Sequence, residues 1–255
     1  MFKIKITQNQ FFAEIAERQS QVEAVQRLSH DFSALRTLVG ESGLQELAIS
    51  GYKRALGHGL RLQRSVDEYI RYTMYFGHRF SEDPLFLWAG ETLRYDTIFD
   101  ESLRMDVLRI KVDDFRNVAV GADGRLFFGA IRRALGLDYV SLPNFGRSSR
   151  TIPELLQKIY PEKWSMLSSA SKIGFIELAY KRSAEHVLGA ERAASVQCIL
   201  MFMLGSYYDS DPMFPWARQI LEDTSATGEQ RGTRLFLAAC ALGQRFIVTQ
   251  ANHQG

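Results

Sequence analysis

The chain has 255 residues, 46% of them apolar and 24% charged, with a net charge of +2. That apolar content can fill one large core or two small ones. The near balance of charge argues against nucleic acid or an acidic membrane as partner, because both favour a concentrated basic surface.

At the N-terminus, "MFKIKITQNQFFAEIAERQ" has no cationic start leading into an apolar stretch, so no secretory signal is expected. The apolar runs "CILMFML" and "LFLAACAL" fall short of the roughly 18 residues needed to span a bilayer. A soluble, cytoplasmic protein is expected. Cys198 and Cys240 lie inside apolar helical runs and read as buried thiols of a reducing compartment, not as a disulfide framework.

Further along, "GLQELAISGYKRAL" places Leu44, Leu47, Ala48, Tyr52 and Ala55 at spacings of three and four, which is one face of a helix. The next helix is "SVDEYIRYTMYF", which stops at Gly77, a position where glycine can turn the chain at no steric cost. Asp83 then stands where an N-cap belongs, and Pro84 follows at the first helical position, where its missing amide hydrogen costs nothing. Trp88 falls one turn into the new helix and is expected to clamp back on Phe80, as Trp216 is on Tyr208 further along.

This helix stop and restart is spelled a second time. A shift of 128 positions aligns Tyr52–Leu93 with Tyr180–Leu221 without a gap, and 13 of the 42 aligned residues are identical. The matches include His58/His186, Gly77/Gly205, Asp83/Asp211, Pro84/Pro212, Trp88/Trp216 and Leu93/Leu221. The starts "FKIKI" and "LRIKV" agree at a different offset, so the second copy carries an insertion near 137–153. The organisation expected is copy one over 1–93, a linker at 94–108, copy two over 109–223, and a C-terminal helix and tail over 224–255. The fold class expected is mainly α, with two related units in a pseudo-twofold arrangement and a short strand opening each. Around 109–130, an Asp-Gly hairpin competes with a strand that enters a helix, and the second is preferred.

Candidates for chemistry are few. His30-Asp31 resembles the His-Asp dipeptide of metal-dependent phosphohydrolases but lacks the upstream histidine those enzymes need. His58 and His186 each lie at a helix end, where an imidazole can serve terminal carbonyls. Glu82 with Asp83, and Asp209 with Asp211, form carboxylate pairs able to hold a cation or transfer a proton, but the Asp-Pro cap already uses one carboxylate of each. With no phosphate-binding loop, nucleophile elbow or zinc spacing, the reading is no catalytic residue, no metal and no cofactor. A metal-dependent hydrolase is the remote alternative. Copy one's helix is far more polar than its counterpart "SVQCILMFML", so its Tyr/Arg face is expected to reach solvent and bind a partner through Glu68, Tyr69, Arg71, Tyr72, Tyr75, His78 and Arg79.

Gly205, Tyr208, Asp211, Pro212, Pro215, Trp216 and Ala217 spell a Gly-x-x-aromatic-x-x-Asp-Pro-x-x-Pro-Trp-Ala motif. Gly77, Phe80, Asp83, Pro84, Trp88 and Ala89 repeat it with Leu87 in place of the proline. The motif resembles that of small helical proteins encoded beside VgrG, PAAR and effector genes in bacterial type VI secretion clusters, which carry one copy. The resemblance implies a non-catalytic protein that binds a secreted toxic effector as its immunity protein. The alternative it implies is a chaperone or co-chaperone that loads the effector onto VgrG or PAAR.

Overall fold

The computed structural model describes residues 18–20, 22–27, 33–94, 98–121, 123–145, 150–189 and 192–253. After helical turns at 18–20 and 22–27 come eleven labelled helices. These are α1 (Ser33–Gly57), α2 (Gln63–Phe76), α3 (Leu87–Leu93), α4 (Glu101–Phe115), α5 (Arg125–Leu135), α6 (Thr151–Ile159), α7 (Pro161–Met166), α8 (Ser169–Glu185), α9 (Arg192–Leu204), α10 (Pro215–Glu222) and α11 (Gly228–His253). The fold is mainly α. No strand occurs among the described residues, and no helix among them is long and apolar enough to cross a membrane.

Burial follows the helical spacing. In α1, which breaks at Gly40, the face made by Leu44, Leu47, Ala48, Tyr52 and Ala55 is buried throughout, against α2. Helix α9 is the central rod: every residue from Ala193 to Phe202 is buried. It packs on α8 and on the long α11, which also covers α5. A rod covered on all sides is apolar around most of its circumference, and its two buried polar side chains, Ser195 and Gln197, are hydrogen-bonded to the Pro143 carbonyl and to Tyr208. That is why this segment carries no one-sided polar stripe.

The strand expected to open the second copy is not formed. Leu108–Val112 lies inside α4, and "FKIKI" falls outside the described residues. Met105, Leu108, Val112 and Phe115, spaced three, four and three apart, are all buried. This longer period makes the segment a helix although "IKV" alone reads as alternating. Helix α4 starts within the expected linker and ends within the expected second copy, while the Asp-Gly at 123–124 precedes α5 instead of turning a hairpin. Asp100 caps α4 by accepting from Leu103 N at 2.8 Å. Arg104, wholly buried, ties α4 to copy one by donating to the His58 carbonyl at 2.8 Å and the Leu93 carbonyl at 3.1 Å.

Of the cysteines, Cys198 is buried and Cys240 half-buried, and both are free thiols. Burial pushes both thiols up in pKa, Cys198 the more strongly.

Candidate functional site: a crossed seam and the chamber beside it

The two Gly…Asp-Pro turns meet each other. Helix α2 stops at Gly77 (φ 98°, ψ 156°), whose amide closes the last turn onto the Thr73 carbonyl at 3.0 Å. Helix α9 stops at Gly205 (φ 105°), bonded likewise to Met201. Gly77 thus adopts an extended positive-φ conformation that is essentially closed to other residues, not the left-handed helical one. A short 3₁₀ turn follows each glycine, and then the aspartate. Asp83 accepts from Leu85 N at 2.8 Å, and Asp211 accepts from Met213 N at 2.9 Å. Each carboxylate therefore spends one oxygen on its own turn.

The other oxygen crosses to the opposite copy. Asp83 Oδ2 accepts from Ser206 N at 2.7 Å, and Asp211 Oδ2 accepts from His78 N at 2.8 Å. Residues 78 and 206 are the partners of one another at the 128-residue shift, so the exchange is reciprocal. Ser206 adds its hydroxyl to Asp83 Oδ1 at 2.6 Å. His78 instead brings Nδ1 to 3.3 Å from Asp211 Oδ2, within ion-pair range but without hydrogen-bond geometry. Both aspartates are buried. Burial raises the Asp83 pKa, and the bonds from Ser206 and Leu85 and the nearby Lys163 oppose that rise. The backbones touch at the crossing, since a Cβ at Gly205 would lie 2.8 Å from the Phe76 carbonyl oxygen.

The histidines brace the same turns from behind. His58 Nε2 pairs with Ser81 Oγ at 2.9 Å, and Ser81 Oγ pairs with Tyr69 OH at 3.0 Å. His186 Nε2 pairs with Asp209 Oδ2 at 2.7 Å. Ser81 and Asp209 are themselves matched at the 128-residue shift. Burial lowers the His58 pKa, which favours a neutral ring. Glu82 is held by Arg54 and Arg79 and Asp209 by Arg182, in each case tightly. Although burial opposes it, the Arg79 hydrogen bond and the Arg54 charge keep Glu82 below its ordinary pKa. No cluster of metal-ligating side chains occurs among the described residues, and His30-Asp31 lies outside them.

Two expectations are corrected here. The Trp88 ring packs against Phe76, Phe86 and Phe115 at centroid distances of 5.9, 6.1 and 6.3 Å, and Trp216 against Phe214 at 6.4 Å, so neither clamps back on Phe80 or Tyr208. Helix α4 supplies Phe115, which a local reading of the turn has no means of including. The Tyr/Arg face is also mostly interior. Tyr69, Tyr72 and His78 are 0%, 5% and 6% exposed. Tyr72 donates to Glu68 Oε1 at 2.7 Å, and Glu68 in turn holds Arg109 at 2.7 and 2.8 Å. This polar network lies under the face and links α2 to α4. What reaches solvent is Arg71, Tyr75 and part of Arg79, joined by Arg116, whose guanidinium sits 5.3 Å from the Tyr75 ring centroid. Arg79 covers the ring of Tyr207 at 4.1 Å, so the exposed rim runs across the seam.

Beside the seam lies a chamber of about 580 Å³, walled by α2, α9, α10 and α11 and by the turns at Gly77 and Gly205. Its lining is aromatic and aliphatic apart from three cations: Lys163, Arg116 and Arg245. Lys163 is buried, with Nζ donating to the Phe202 carbonyl at 2.5 Å and lying 5.3 and 5.1 Å from the ring centroids of Phe86 and Phe202. Sequence reading missed the chamber because residues from Met74 to Phe246 converge on it, with no motif to mark them.

No family model, curated protein or solved structure matches this chain.

Proposed function

We propose that this chain is a non-catalytic binding protein and that its partner is a toxic effector of a type VI secretion cluster, bound as its immunity protein. The observation that supports binding over catalysis is the crossed seam. Asp83, Asp211, Asp209, Glu82, His58 and His186, the groups best suited to proton or metal chemistry, are all engaged in holding turns together. The choice of partner rests on the resemblance of the doubled Gly…Asp-Pro turn to that family. The contact surface under this reading is the rim of Arg71, Tyr75, Arg79 and Arg116, where arginine and tyrosine, the side chains enriched at binding hot spots, lie together.

The test is survival of a host that expresses the neighbouring effector, with and without this chain. Rescue together with a stable complex is the expected result. Arg71→Ala with Tyr75→Ala should weaken the complex by about tenfold or more and leave the helical circular-dichroism signal unchanged. No rescue, with the effector made more soluble or better secreted, assigns a loading chaperone instead. No complex at all refutes both roles.

A further inference from the structure

We propose that the chamber beside the seam binds a long-chain carboxylate, with its head at Lys163 and its acyl chain running between α9 and α11. This does not rest on the effector reading. The first argument is charge: the described lining carries three cations and no acidic side chain, so an anionic head is favoured and a cationic one opposed. The second is valence. A lysine ammonium has three donors, and among the described residues Lys163 donates to the Phe202 carbonyl. The remaining donors match the two oxygens of one carboxylate. Burial lowers Lys163 to about 8 against the opposing charge of Asp83, and a carboxylate set beside it would raise that value.

The third argument is shape. A second cavity of about 80 Å³ shares Phe127, Met203, Leu204, Leu242 and Phe246 with the chamber, and its remaining lining, which includes Ile131, is apolar. All three cations line the larger cavity and none lines the smaller apolar one beside it, a division of polarity that suits a single-chain amphiphile. The main volume is within the range of small-molecule sites.

The experiment is calorimetric titration of the full chain with sodium decanoate and sodium dodecanoate below their micelle concentrations. Dodecyltrimethylammonium and phosphatidylglycerol vesicles serve as controls. Dodecanoate is expected to bind with 1:1 stoichiometry and about fifteenfold tighter than decanoate, because each of its two added methylenes contributes about fourfold when buried. Lys163→Met should weaken binding about tenfold or more, as expected for loss of a charge-assisted hydrogen bond. Since Lys163 also holds the Phe202 carbonyl, Ala241→Trp provides an independent check from an exposed position on the chamber wall. It should block binding and leave the helical signal intact. The proposal is overturned by no binding of dodecanoate, by equal binding of dodecyltrimethylammonium, or by unaltered affinity in Ala241→Trp. Uptake from vesicles without binding of free dodecanoate assigns the site to a phospholipid and overturns the carboxylate.

Discussion

Gly205→Ala adds a single methyl group where the two copies cross, and the structure sets what that methyl meets. The new Cβ would lie 2.8 Å from the carbonyl oxygen of Phe76, a backbone atom at the end of α2 that has no rotamer by which to withdraw. It would also occupy a residue with φ near 105°, a conformation that costs a non-glycine residue about 1–3 kcal/mol. Relief of the clash adds a further cost, on the scale of about 1–3 kcal/mol seen for overpacked cores. Together these reach about 2–6 kcal/mol, a large part of the roughly 5–15 kcal/mol that holds a typical domain folded. Gly77→Ala is the internal control. Its φ is 98°, but the added Cβ would meet nothing nearer than 3.5 Å, so only the conformational cost of about 1–3 kcal/mol applies. The prediction is an ordered pair: both variants destabilised, with Gly205→Ala the worse by about 1–3 kcal/mol. Urea unfolding followed by circular dichroism measures both. Equal losses, or a loss at Gly205 below about 0.5 kcal/mol, would refute the claim that the backbones touch there.

Two further substitutions follow from the comparison of the copies. Val187 has φ 51° and stands at the 128-residue shift from Gly59, which has φ 73°. A β-branched residue in this region is strained, so Val187→Gly is expected to stabilise the fold by about 0.5–1 kcal/mol, the strain relieved being partly offset by greater freedom of the unfolded chain. A lowered urea midpoint would contradict this. Asp209 supplies a pH dependence. Burial would raise its pKa, but the His186 hydrogen bond and the Arg182 charge outweigh that and hold it below its ordinary value of 3.8. The native state then binds the proton less readily than the unfolded chain, so the stabilisation is full above the ordinary value and is lost as pH falls below it through the native one. Asp209→Asn should lower stability at pH 7 and flatten the decline below about pH 4. An unchanged acid limb in urea titrations would show that the carboxylate does not contribute.

The helices were legible where one face is apolar and the other wet, as in α1. Their register follows from Leu44, Leu47 and Ala48 alone. The five-residue "LRIKV" misleads because period two and period 3.6 differ little over so short a span, and only the longer run from Met105 to Phe115 separates them. Asp83 and Asp211 were legible as caps because capping is local, but a carboxylate has two oxygens, and the sequence shows the use of only the nearer one. The second oxygen reaches a residue 123 positions away from Asp83 and 133 away from Asp211, which only the fold brings close. Tyr69 and Tyr72 read as exposed because a hydroxyl reads as wet. Ser81 and Glu68 satisfy those hydroxyls inside, so the rings can be buried without an unmet polar cost.

Amide hydrogen exchange at Ser206 and His78 tests the crossed seam most directly. In Asp83→Ala the Ser206 amide, in the opposite copy, should lose protection while the His78 amide keeps it, and in Asp211→Ala the pattern should reverse. Loss confined to Leu85 in the first variant and to Met213 in the second would mean that each aspartate serves its own turn alone, and would contradict the account.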